Sequence, residues 1–290
     1  MTADPLAHPI FVVAPPRAGS RLVADALASP GCWTIGRAAG SLLVPVPELD
    51  PPDGSRARLS GRDCTPYVSQ ALRAYLQIEF ARLDRAAGGQ TGERGTAAPR
   101  FVYAAPRSAL SIPFLNAAFP DATFVYVHRE PADALAEALL VWRAGTAVTY
   151  PELPGWTGPA WSFLLVPRWR ELIGRPLAEV VTEQWVRTMR PLTDDLERLA
   201  PERWCVVAHD ALQRDPQEEA GRLAGYLGLE PAEERPELQA MASFASVELA
   251  AARTELEPYL ERTNGLADHA TEWLAEPTRR RAPGARGAAP

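Results

Sequence analysis

The stretch PIFVVAPPRAGSRLVADAL, Pro9 to Leu27, constrains this chain more than any other. Ile10 to Val13 is a short apolar run rich in β-branched residues, which reads as a buried strand. A turn containing Pro15, Pro16 and Gly19 follows, and Leu22, Ala26 and Leu27 then recur at helical spacing. Strand, glycine turn and helix start together aim free backbone N–H groups and a helix dipole at an anion. Arg17, inside the turn, adds a full positive charge and a planar fork of donors. The chemistry indicated is phosphate or sulfate binding; the plain structural counterpart is an ordinary strand-to-helix turn. The nucleotide motif G-x-x-x-x-G-K-[ST] is absent and the chain has no lysine, so Arg17 must do the work a lysine would do.

Further along, strands and helices alternate. Cys32 to Ile35 reads as a second short strand and Ser41 to Asp63, rich in Pro, Asp, Gly and Ser, as an irregular loop. Thr65-Pro66 is an N-cap followed by Pro at N1, opening a helix to about Ala86 with a stripe of Val68, Leu72, Leu76, Phe80 and Leu83. Gly88 to Pro99 is a polar connector, Phe101 to Ala104 a strand, and Ser108 the cap of a short helix. Thr123 to His128 is the clearest strand, and Pro131 opens a helix to about Arg143. Thr146 to Arg170 carries Tyr150, Trp156, Trp161, Phe163 and Trp169 among prolines and glycines. This segment either packs its aromatics on the core or forms a lid over an apolar substrate. A helix from about Ala178 to Leu199, a strand Trp204 to Val207, a helix from Pro216 ended by Gly228, and a helical stretch between Ser243 and Arg262 complete the pattern. The expected architecture is one doubly wound α/β domain over residues 1–276 with a central parallel sheet, followed by a disordered tail over 277–290. Ligands of such a sheet bind beyond the carboxyl ends of its strands.

Composition narrows the partners. The 290 residues carry a formal net charge of −6, against a general nucleic-acid or anionic-membrane binder. No apolar run is long enough for a membrane span, and no secretory signal is read at the N-terminus. Cys32, Cys64 and Cys205 are odd in number and widely spaced, which fits a reducing, cytoplasmic setting and no metal site. All 30 cationic residues are arginine, read here as base-composition bias.

Two stretches stand together: PPRAGSRL after the first strand, and FVYVHREPADALAEALLVWRAG spanning a later one. Each places an arginine just past the carboxyl end of a strand. The pair resembles the sulfotransferase family, which uses 3′-phosphoadenosine 5′-phosphosulfate (PAPS) as sulfuryl donor, and the likeness to its bacterial branch runs from about Pro9 to Leu229. The resemblance implies a P-loop-like sulfotransferase fold. It also implies that Arg17, Ala18, Gly19, Ser20 and Arg21 form the 5′-phosphosulfate loop, and that Arg129 grips the 3′-phosphate, with position 137 beside it.

Against the family pattern, Ala18 stands where the loop usually has Ser, and Arg21 where it has Thr. Glu137 replaces the serine that helps Arg129. Ala38 and Gly40 replace a candidate base glutamate and a histidine, Tyr103 and Ala104 a Glu and a Lys, and His209 a tyrosine. Candidate catalytic groups are then Arg17, for charge on the leaving oxygen, and His128, Glu48 or Glu130 as the base. The implied activity is sulfuryl transfer from PAPS to the hydroxyl or amine of a small-molecule or carrier-tethered acceptor, in secondary metabolism. The alternative is a sulfotransferase fold with lost or repurposed chemistry. A kinase is the weaker third reading, for want of a Walker lysine. Glu137 lies eight residues past Arg129, on the helix face that returns toward the strand end; it is expected to pair with Arg129 or Arg21 and close the pocket to the product nucleotide, 3′-phosphoadenosine 5′-phosphate (PAP).

Overall fold

The structure, a computed structural model, describes residues 6–28, 32–35, 41–86, 100–229 and 244–276. Its strands are β1 (Ile10–Val13), β2 (Cys32–Ile35), β3 (Arg100–Ala104), β4 (Thr123–His128), β5 (Val148–Tyr150), β6 (Trp161–Ser162) and β7 (Trp204–Ala208). Its α-helices are α1 (Ser20–Leu27), α2 (Pro66–Ala86), α3 (Ile112–Ala118), α4 (Pro131–Ala144), α5 (Leu177–Glu197), α6 (His209–Arg214), α7 (Pro216–Leu227), α8 (Ser246–Leu260) and α9 (Asn264–Ala275).

Five strands form a parallel sheet in the order β2-β3-β1-β4-β7. All four residues of β1 are buried, because both faces of the sheet are covered. Phe11 and Val13 point into a core shared with α2, α3, α4, α5, α8 and α9. Ile10 and Val12 point the other way, onto α1 and α7. This is the doubly wound α/β arrangement read from the sequence. On the larger face Phe11 meets Phe101 at 5.9 Å, Phe119 at 5.5 Å and Phe124 at 5.7 Å between ring centres, a packed aromatic centre beneath β1.

The structure revises several local expectations. Pro106 opens a 3-10 turn through Leu110, so Ser111, not Ser108, precedes the helix α3. The 41–63 loop contains two 3-10 turns, Pro47–Leu49 and Gly61–Asp63. The aromatic segment holds an antiparallel hairpin, β5 with β6. Two further helices were not foreseen: α6, and α9, whose Trp273 packs on Trp204 at 4.7 Å and Tyr126 at 5.4 Å. The connector 88–99, positions Ala38, Ala39 and Gly40, and the tail 277–290 lie outside the described residues.

Trp161 and Trp169 are buried in the core, 6.0 Å apart, with Trp142 5.3 Å from Trp161. Gln184 of α5 pins the hairpin: its side-chain amide donates to the Ser162 carbonyl at 3.0 Å and the Leu164 carbonyl at 2.7 Å, and accepts from Trp142 Nε1 at 3.2 Å. The tryptophans are therefore structural, whereas Tyr150 and Phe163 of the same segment line a cavity. Among the described residues, no helix is long and apolar enough to cross a membrane.

Candidate active site

Parallel pairing fixes the ends of β1 and β4 side by side, with Val13 opposite Tyr126. The chain leaves β1 through Ala14 and turns at Pro15 to Ala18, where the Ala18 N–H donates to the Pro15 carbonyl at 3.3 Å. Arg17 holds a left-handed backbone, φ +65°, which costs a side-chain-bearing residue energy and is found where surrounding contacts impose it. Gly19 follows at φ +103°, and Ser20 begins α1. Gly19 is required twice over: a Cβ there would lie 2.6 Å from Cδ2 of His209 as well as needing the positive φ. His209, 1% exposed at the start of α6, is the floor of the loop.

The imposing contacts at Arg17 are ionic. Its Nη2 donates to Glu137 Oε2 at 2.5 Å and its Nε to the same oxygen at 3.1 Å. Arg129, the first residue past β4, donates from Nη2 to Glu137 Oε1 at 2.6 Å and from Nη1 to the Arg17 backbone carbonyl at 2.8 Å. The Glu137 carboxylate thus divides its two oxygens between two guanidinium groups. The side chains are 15%, 9% and 15% exposed for Arg17, Arg129 and Glu137. Burial alone would raise the Glu137 carboxyl; the Arg129 contact and then Arg17 reverse this and hold it below the usual range. Three formal charges sum to one net positive charge at the end of β1 and β4. The Nε of Arg129 and the Nε2 of His209 are buried without a hydrogen-bond partner among the described residues. Burial, then the Arg129 charge, holds His209 below the ordinary imidazole range against the raising effect of Asp210, 3.1 Å from Nδ1.

The structure places the other anticipated residues as follows. Ala18 is fully buried in the turn, and Ser20 is half-buried at the helix start. Arg21 faces away: it is 57% exposed and pairs with Asp25 at 3.7 Å, so it does not take part in holding Glu137. His128 ends β4 with its ring edge-on to Tyr126 at 6.3 Å, and burial lowers its basicity; no described hydrogen bond joins it to the arginine pair. Glu48 is exposed to solvent in the Pro47–Leu49 turn and does not line the neighbouring cavity. Glu130, at the N-cap of α4, is raised by burial and then by Asp133.

That cavity, of about 280 Å³, opens beyond the end of β3, the strand on the other side of β1. Ala104, Phe163, Leu164 and Leu165 contribute its apolar wall, and Asp50, Arg107 and Tyr150 its polar part. Asp50, two residues past Glu48, is the carboxylate that the sequence reading missed. It is paired with Arg107, which also donates to the Leu49 carbonyl at 2.8 Å. A wider groove of about 450 Å³ near Trp169 is lined by Arg56, Arg58, Arg168 and Arg170, but these are engaged by Asp63, Asp195, Glu171 and the Trp169 ring.

A family model described as Sulfotransferase family matches residues 9–234. The chain belongs to the sulfotransferase family. No curated protein matches it. Among solved structures, it is similar to a sulfotransferase of Mycobacterium tuberculosis H37Rv (14% identity, 90% of this chain and 77% of that chain covered, TM-score 0.48). It is also similar to the sulfotransferase domain of the Synechococcus PCC 7002 olefin synthase (17%, 93% and 98%, TM-score 0.48). A sulfotransferase from Alicyclobacillus acidocaldarius gives 15%, 91% and 97%, with a TM-score of 0.46. In this chain Arg17 stands in the turn after β1 and Arg129 directly after β4, with the Glu137 carboxylate between their guanidinium groups.

Proposed function

We propose that this protein transfers a sulfuryl group from PAPS to an acceptor hydroxyl or amine, the acceptor being a small molecule, free or tethered to a carrier. The observation that carries this reading is the convergence of Arg17 and Arg129, from neighbouring strand ends, on one anion. At present that anion is the chain's own carboxylate, and its shape is informative. Glu137 offers a separate oxygen to each guanidinium, so it stands in for two anionic groups, one at each arginine. The seat therefore suits phosphate once Glu137 turns out of it, and the unpaired Nε of Arg129 is a further donor for such a ligand. PAPS, when bound, supplies a sulfuryl group on a phosphate leaving group. Arg17 and the N-terminus of α1 would hold its 5′ side, and Arg129 its 3′-phosphate. Glu137 acts as a built-in competitor. Family membership favours this reading over a repurposed scaffold.

Calorimetry with PAP tests it. Glu137→Ser, shown to be folded by circular dichroism and melting, is expected to bind PAP, and adding Arg129→Ala to it is expected to weaken binding at least ~30-fold, the loss of ~2 kcal/mol or more for a charge-assisted contact. A folded Glu137→Ser protein that binds no PAP would refute the assignment.

A further inference from the structure

The cavity beyond β3 contains a chain of three polar side chains from three separate segments. Arg107, in the turn after β3, is paired with Asp50 of the 41–63 segment. Tyr150, the last residue of β5, faces the same carboxylate. Burial, then the Asp50 charge, push the Tyr150 hydroxyl's ionisation up, so the hydroxyl keeps its proton in the cavity that it shares with the Asp50 carboxylate. Around these groups the lining is aromatic and aliphatic. Phe163 in that wall has φ +62°, a left-handed backbone that a bulky side chain adopts only under constraint. The constraint is visible: the Phe163 N–H donates to the Ala147 carbonyl at 3.0 Å and Gln184 holds the next carbonyl, of Leu164, at 2.7 Å. Arg107 Nε is buried there without a hydrogen-bond partner among the described residues, an unmet donor at the polar end.

We propose that this cavity takes the acceptor as a single ring-sized apolar group bearing one hydroxyl, and that Tyr150 receives the hydroxyl's proton while passing its own to Asp50. The proposal rests on the sulfuryl-transfer reading for its purpose. Tyr150 is the catalytic group and Asp50 the positioning residue behind it. Size supports the ligand class: a dry cavity of ~150 Å³ already admits benzene, and this one measures about 280 Å³. Topology supports the role. β3 and β1 are hydrogen-bonded neighbours, with Val12 opposite Ala104, so the cavity and the arginine loop leave adjacent strand ends ~5 Å apart. The proton balance closes within the chain. The acceptor hydroxyl's proton goes to Tyr150 Oη, the Tyr150 proton goes to Asp50, and Arg107 keeps the protonated acid hydrogen-bonded. The electron pair freed on the acceptor oxygen forms the new bond to sulfur, and the pair of the old sulfur–oxygen bond leaves with the donor's phosphate. Glu48 and His128 have no part in this arrangement.

The test uses 4-nitrophenol, whose phenol and phenolate forms absorb at different wavelengths, and needs no sulfuryl donor. The wild-type chain is expected to bind it saturably in the phenol form, because the Asp50 carboxylate beyond Tyr150 disfavours a second negative charge. Asp50→Asn leaves the Arg107 charge unopposed, and the bound dye is expected to move to the phenolate band. Tyr150→Phe is expected to weaken binding about five- to tenfold, the loss of one neutral hydrogen bond. Where Asp50→Asn fails to fold, Tyr150→Phe and Phe163→Ala carry the test, the latter weakening binding by removing the ring wall. Absence of saturable binding to the wild type, or identical bound spectra for wild type and folded Asp50→Asn, would overturn the proposal. PAP calorimetry on Glu137→Ser reports separately on the arginine site, so the two readings fail independently.

Discussion

Replacing Glu137 by serine should produce a protein that is less stable alone and a better binder of PAP. Two charge-assisted contacts, at 2.5 and 2.6 Å, tie the carboxylate to Arg17 and Arg129. Removing one partner of a fully buried pair costs ~3–5 kcal/mol. Here each side chain keeps between 9% and 15% of its surface in water, which brings the expected loss to about 2–3 kcal/mol. For a chain of this size that is a fall of ~3–5 °C in melting temperature. Binding moves the opposite way. A carboxylate ~4 Å from one phosphate charge repels it by about 1 kcal/mol in bulk water and about 4 at an effective dielectric of 20. A half-enclosed site lies between, and ~2–3 kcal/mol corresponds to a ~30- to 150-fold gain in affinity for the variant. Differential scanning calorimetry with and without PAP reads both effects, since a ligand that binds only the folded state raises the melting temperature in step with its affinity. The wild type should melt higher without PAP and respond less to it. Equal PAP affinity in wild type and variant would show that Glu137 does not occupy the phosphate seat.

The loop and its floor give two further expectations. Gly19→Ala puts a Cβ 2.6 Å from His209 Cδ2 on a backbone at φ +103°; the backbone alone costs ~1–3 kcal/mol. Urea unfolding should show this loss, and His209→Ala in the same chain should recover the overlap but not the backbone cost. Full recovery would mean that the positive φ carries no strain. The second concerns pH. His209 titrates below its ordinary value because of burial and then Arg129, and Glu137 below its own because the arginines outweigh burial. An unfolded histidine takes a proton below pH ~6.5 that the folded one refuses, so His209 stabilises fully above that pH and less as pH falls. Glu137 contributes above ~4.3, and its share is lost as pH drops through its lower folded value. His209→Phe should therefore flatten the stability profile between pH 7 and 5, with His128, also lowered by burial, adding slope of the same sign and Glu130 and Asp195, raised by burial, slope of the opposite sign at the acid end. Glu137→Gln should flatten it only below that window. An unchanged profile in His209→Phe would contradict the neutral, buried floor.

What could be read from the sequence follows from how local each signal is. β1, β4 and β7 are apolar runs buried on both faces, and such runs need no partner to be recognised. Arg17 was legible from the strand, glycine turn and helix start around it, whereas Arg129 and Glu137 stood out through the resemblance to the sulfotransferase pattern, the spacing of eight then returning the acid toward the strand end. β5 and β6 were not legible, because they are three and two residues long and β6 is held by Gln184, through the Ser162 carbonyl, rather than by a pattern of its own. Tryptophans in a proline-rich segment announce burial or a binding wall equally well; the direction of each ring is a tertiary fact. Glu48 against Asp50 is the sharpest case. Both are acids in an irregular loop with no periodicity to assign a face, and the deciding partner, Arg107, is 57 residues away.

The two sites also explain each other's composition. An anion seat needs charge that converges, so its arginines come from beyond adjacent strand ends, which the sheet sets ~5 Å apart: Arg129 directly after β4 and Arg17 in the turn after β1. A site for an uncharged ring needs the reverse: few charges, and those cancelled. Asp50 and Arg107 cancel each other at the polar end of the cavity, whereas Arg17 and Arg129 outnumber Glu137. Turning Glu137 out leaves two positive charges to meet the donor's anionic groups, while the neighbouring cavity stays neutral for an apolar acceptor. The edge of the sheet is thus polarised along its length. From this it follows that a charged acceptor analogue, such as a ring bearing a carboxylate, would be drawn to the arginine pair instead of to the cavity, and would compete with PAP and not with 4-nitrophenol.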